Sequence, residues 1–134
     1  MKYLFAIAIL CFTLTSCKKL NDKPESKMDY IPINSATTPR TSIQGQAIHS
    51  RVNCGFYEHF ADITFLNFEV NESIPRQFEI RARAFYDNIQ YDISLPVVST
   101  FDTTLAIQTP SSGQYILKFY SFDELVQTDT VQVN

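Results

Sequence analysis

Along residues 76–86 polar and apolar side chains alternate strictly. Phe78, Ile80, Ala82, Ala84 and Tyr86 share one side, and Gln77, Glu79, Arg81 and Arg83 share the other. A half-buried strand requires that period of two. Asp87-Asn88 supplies a turn, and Ile89, Tyr91, Ile93 and Leu95 then alternate with polar residues, so the two runs predict a hairpin. Pro96 ends the second run or marks it as an edge. Tyr115, Leu117 and Phe119 carry a further alternating run, Leu105 and Ile107 a short one, and residues 125–133 a last one. Residues 43–52 are strand-like but interrupted by Gly45. In residues 63–70 the parity slips: Ile63 and Phe65 share one face, while Leu66, Phe68 and Val70 share the other. A bulge, or burial on both faces, accounts for such a slip. A turn is expected over residues 71–75, ending in Pro75. No segment repeats apolar residues at i, i+3, i+4 and i+7, so no helix is predicted.

Seven short strands separated by turn signals predict an all-β, antiparallel sandwich over residues 43–134. The core expectation is Phe78, Ile80, Tyr115, Leu117 and Phe119, each on the apolar face of its run. Residues 17–42 differ in texture. They contain Pro24, Pro32 and Pro39 among Ser, Thr and Asn, with neither period, and predict a flexible tether. Fully extended, it reaches ~80 Å.

The strand pattern resembles an immunoglobulin-like domain. Its best local mark is Thr109-Pro110-Ser111-Ser112-Gly113-Gln114-Tyr115, which is similar to the tyrosine corner of such sandwiches. That resemblance implies a Tyr115 hydroxyl bonded back across the corner. The chain departs from antibody domains in lacking a Cys…Trp…Cys core, since it has no Trp. A transthyretin-like sandwich and a small barrel stay open as alternatives. In an immunoglobulin-like plan the tether joins the domain near Ile43. The loop at residues 54–60, the Asp87-Asn88 turn and the corner before Tyr115 then gather at the opposite, outward end.

The amino terminus determines where such a domain is expected. Lys2 is followed by an apolar run over residues 3–12 and then by Leu14-Thr15-Ser16-Cys17. A basic start, a short apolar core and small residues before a cut are the parts of a secretory signal. The stretch resembles the lipobox of bacterial lipoproteins. That resemblance implies cleavage after residue 16, lipidation of Cys17, and anchoring in the cell envelope, on the periplasmic or surface face of the outer membrane. The domains are therefore read as residues 1–16 (signal peptide), 17–42 (lipidated start and linker) and 43–134 (sandwich). With Cys11 removed and Cys17 lipidated, Cys54 has no cysteine to pair with. From residue 41 onward five basic and eleven acidic residues give a net charge of −6, a poor basis for nucleic-acid binding.

Candidate chemistry is sparse. There is no Gly-x-Ser-x-Gly elbow, no phosphate-binding glycine loop and no spaced acidic calcium loop. A non-enzymatic module with no cofactor is expected. Its partners would be the membrane, through Cys17, and an envelope protein or glycan. The aromatic stretch Phe56-Tyr57-Glu58-His59-Phe60 offers Phe56, Tyr57, His59 and Phe60 as contact residues. The other reading of the same rings is a plug at the end of the sandwich. A metal- or redox-handling alternative uses His49, Cys54 and His59, whose imidazoles and thiolate suit zinc or copper. Spacings of five put successive members on opposite faces of a continuous strand, so only a loop at residues 53–55 brings them together.

Overall fold

The computed structural model describes residues 27–57, 62–86 and 98–134. The described residues are all-β, with no helix, and form two sheets. Nine strands replace the expected seven: β1 (Lys27–Ile31), β2 (Ile33–Thr37), β3 (Thr41–Ser42), β4 (Ile48–Phe56), β5 (Ile63–Ile74), β6 (Gln77–Tyr86), β7 (Ser99–Ile107), β8 (Gly113–Ser121) and β9 (Glu124–Val133). The larger sheet runs β5-β6-β8-β9-β3, and β1 takes over the edge of β6 beyond the end of its pairing with β8. The smaller sheet runs β2-β4-β7.

Three strands lie where a flexible linker was expected. Residues 27–31, 33–37 and 41–42 are paired, and Ile31 and Ile33 are buried in the core. Pro32 separates these two residues. β1 pairs with β6 in the larger sheet, and after Pro32 the chain passes into the smaller sheet as β2 against β4. Proline interrupts a ladder, which is what a strand changing sheets needs. The Gln127 side chain holds β2 over the larger sheet: its Nε2 donates to the Ala36 carbonyl (2.8 Å) and its Oε1 accepts from the Ala36 N–H (2.9 Å).

The pairing is not antiparallel throughout. β3 runs parallel to β9, and β6 runs parallel to β8 over Gln77–Ile80. A parallel neighbour needs a long crossover. Here the chain supplies it by leaving the larger sheet after β6, running back through β7 in the smaller sheet, and returning as β8.

The alternation of residues 76–86 is realised in β6. Ile80, Ala82 and Ala84 are buried, Phe78 is half-buried, and Arg81 and Arg83 lie on the other face. Tyr115, Leu117 and Phe119 are likewise buried along β8. The parity slip in β5 is a bulge. Register shifts between Phe65 and Asn67, so Phe65 and Phe68 both pack inward while Leu66 turns out. The hairpin partner of β6 is β5, closed by a tight turn at Pro75-Arg76 rather than over residues 71–75. The hairpin expected from residues 89–95 lies outside the described residues, as do the signal peptide and Cys17.

Candidate functional site

The two ends of the sandwich differ. At the proximal end the described chain begins, with Lys27 opposite Tyr86. This end also holds Phe56 and the start of β5 at Ile63. Aromatic rings close the space between the sheets there. Phe56 meets Tyr86 edge-on at 5.4 Å between ring centroids, and Phe65 meets Phe68 at 5.1 Å and Phe101 at 5.7 Å. Edge-to-face contacts at such separations are the favoured aromatic geometry.

Phe56 is therefore a core residue and not a contact residue, which corrects its assignment to a partner surface. Tyr57 is 54% exposed, with its hydroxyl donating to Asn53 Oδ1 at 3.4 Å. His59 and Phe60 lie outside the described residues. Gly55, with φ +120°, lets β4 pass close to β7, because a Cβ there would stand 2.1 Å from the Ser99 carbonyl oxygen. Only glycine accommodates both that conformation and that approach.

Two members of the metal alternative, His49 and Cys54, are not brought together. Cys54 is fully buried on the inner face of β4, and His49 is exposed on the outer face opposite Ala106. They stand five positions apart on one uninterrupted strand, and His59 lies outside the described residues. Burial pushes the Cys54 thiol up to about 12, with the nearby Asp102 carboxylate adding to the effect. A buried thiol of this kind behaves as a small apolar side chain rather than a nucleophile. Among the described residues no three His, Cys, Asp or Glu side chains group to hold a metal ion.

The distal end is open. A cleft of about 650 Å³ lies between the inner face of β5 and β6 and the edge of β7. Val70, Phe78, Pro110 and Tyr115 give it an apolar floor, while Glu72, Gln108 and Ser111 stand at its rim. Phe78 and Tyr115 stack with ring planes 6° apart and centroids at 6.1 Å. The Tyr115 hydroxyl donates to the Ser111 carbonyl at 3.0 Å, closing the tyrosine corner that the sequence resembles.

A latch holds the cleft's shape. Arg76 adopts φ 65° at the turn after Pro75, where a side chain is disfavoured. Three hydrogen bonds hold it: its N–H donates to Glu72 Oε1 (2.7 Å), its Nη1 donates to the Ser112 carbonyl (2.7 Å), and its carbonyl accepts from the Ile116 N–H (2.8 Å). The β5–β6 turn is thereby tied to the β7–β8 corner. From the far side, the Thr109 hydroxyl reaches the carbonyls of Ile43 and Gln46, and the Gly45 N–H donates to the Thr109 carbonyl at 2.8 Å. The corner before Tyr115 and Ile43 thus share the distal end, whereas the corner was expected beside the aromatic loop.

Of the cleft residues, Val70, Phe78, Ile107 and Tyr115 carried a sequence signal for strand, Phe78 and Tyr115 one for core, and Pro75, Pro110 and Ser111 one for turns. Glu72, Arg76, Gln108 and Ser111 come together through pairing of distant strands, which no local pattern encodes. Comparisons with protein-family models, curated proteins and solved structures gave no match.

Proposed function

We propose that this chain is a lipid-anchored cell-envelope protein carrying a non-enzymatic binding module of immunoglobulin-like plan, with the distal cleft as its binding site. The carrying observation is the position of the cleft. It sits at the end remote from Lys27, where the described chain begins. If Cys17 is the lipidated residue, only residues 18–26 separate the anchor from β1, a reach of at most about 35 Å. The leash is far shorter than a linker running to residue 42. It draws the proximal end toward the membrane and turns the cleft outward. The tyrosine corner, the parallel β3–β9 edge and the strand that changes sheets at Pro32 favour the immunoglobulin-like plan. The parallel β6–β8 pair is its departure from that plan.

Two measurements test this reading. Cys17→Ser should release the protein from the membrane fraction; a variant that still sediments with membranes places the anchor elsewhere. A photo-crosslinking side chain at Gln108 should capture a partner in the protein's own cells, and one at Tyr57 should not. Capture at Gln108 should disappear when Val70→Trp fills the cleft. Equal capture from both ends, or capture unchanged by Val70→Trp, rejects the cleft.

A further inference from the structure

We propose that the cleft's ligand is an extended peptide strand of a partner protein, which pairs with the outer edge of β7 at Thr104 and Ala106 and sets alternate apolar side chains into the cleft. This rests on the cleft being the binding site, and it names the class of partner.

The two sheets are unequal in width. The larger has β5 outside β6, and among the described residues nothing in the smaller sheet extends beyond β7 to face it. The inner face of β5 is left incompletely covered: Phe68 and Val70 pack against the core yet are only partly buried, and Phe78 on β6 is in the same condition. One more strand beside β7 would complete the smaller sheet and cover that face.

The backbone of β7 is directed for such an addition. The Gly55 N–H donates to the Pro32 carbonyl, so Gly55 turns its backbone toward β2. Its partner across the ladder, Thr100, then turns its own backbone away from β4. The β4–β7 register is unbroken over nine pairs, so the alternation carries this direction to Thr104 and Ala106. Ala106 is exposed on the outer face of its sheet and still lines the cleft, which makes the strand edge itself the cleft wall.

The opposite lip is unsuited to the same role. The β5 ladder is broken by shifts at Phe65/Asn67 and Glu72/Ile74, and bulges of this kind turn an edge away from new partners. Among the described residues, β7 carries no such break in its register. The outward amides and carbonyls of Thr104 and Ala106, which pair with no strand among the described residues, and the apolar floor beside them are satisfied together by one kind of ligand, a polypeptide in β conformation. Its inward residues would be apolar, two apart, and its outward residues polar. The net charge of −6 from residue 41 onward favours Lys or Arg among the polar ones.

The test uses the full mature chain in detergent micelles and the synthetic peptide Lys-Thr-Val-Thr-Val-Thr-Val-Thr-Lys, with a second peptide N-methylated at alternate amides. Binding of the first should slow amide exchange at Thr104 and Ala106 by roughly tenfold or more and leave Leu105, already paired with β4, unchanged. The N-methylated peptide should not bind. Ala106→Pro should abolish binding while Ala106→Val retains it. If Ala106→Pro fails to fold, the comparison of the two peptides on the unaltered protein gives the same answer. Slowed exchange along β5 instead, equal binding of the N-methylated peptide, or no binding at about 1 mM peptide overturns strand addition. Crosslinking from Gln108 needs no strand geometry, so its persistence after such a result would leave the cleft in place with a ligand of another class, such as a glycan.

Discussion

The proximal and distal ends are built from the same strands, yet one is filled and the other is open. At the proximal end Phe56, Tyr86, Phe65 and Phe101 reach across from both sheets and meet edge to face. At the distal end Phe78 and Tyr115 lie on neighbouring strands of the same sheet and stack on each other, and β7 contributes only the aliphatic side chains of Ala106 and Ile107 to the space beside them. Large aromatic rings thus close an end only when both sheets contribute them. The difference also separates two meanings of an aromatic cluster. The dense run at residues 56–60 begins in the core, while the sparser pair Phe78 and Tyr115 floors a cleft.

This contrast can be broken by truncation. Phe56→Ala should cost ~3–5 kcal/mol, the usual range for removing a buried ring, whereas Phe78→Ala, whose ring is only partly buried, should cost less, about 1–2 kcal/mol. Urea unfolding of both variants checks the order. Equal losses would mean the cleft floor is packed as tightly as the closed end. Next in size, Gly55→Ala should cost about 2–4 kcal/mol, combining overpacking against the Ser99 carbonyl with an unfavourable φ. Gly45→Ala, with open space around its Cβ position, should bear only the conformational cost, about 1–2 kcal/mol. Thermal unfolding distinguishes the two, and a similar loss at both would remove close approach as the reason for Gly55.

A smaller effect is expected at the corner. Tyr115→Phe removes only the hydroxyl that donates to Ser111 and should cost about 0.5–1.5 kcal/mol. Crosslinking from Gln108 should weaken with it if the corner shapes the cleft. The smallest signal is a pH dependence at the proximal end. The Cys54 thiol is raised in the folded protein to about 12 from 9.0, so its neutral form is the one the fold favours. Its contribution to stability is complete below pH 9 and is lost as pH rises from 9 toward 12, where the unfolded chain ionises first. Cys54→Ala should flatten that part of the stability profile, and native protein at pH 7.5 should resist maleimide until unfolded. Rapid labelling of the native state would place the thiol at the surface.

Much of the strand content was legible because alternation is local. Residues 76–86 and 115–119 declare their buried face within a few positions, and the slip at Leu66 announced its bulge. The tyrosine corner was legible for the same reason, since donor and acceptor lie four residues apart. Where the local signal was proline, the expectation failed. Pro32 and Pro39 made residues 27–42 look like linker, although Ile31 and Ile33 on either side of Pro32 are fully within the core. Nothing local says that a proline is a sheet-switching point rather than a break in order.

The sequence by itself determined the class of element, the inner face of most strands and the separation of Cys54 from His49, because each follows from the two-residue period of an extended chain. The tertiary structure alone decided which strands became neighbours. Among the described residues it made β8 rather than β7 the parallel partner of β6, put β5 and β7 at the edges of unequal sheets, and brought Arg76 to Ser112 and Glu72 into the same cleft as Tyr115. Strand partnership is set by the packing of all inner faces at once. The cleft is what remains where those faces do not match in width, and it has no counterpart in any single stretch of sequence.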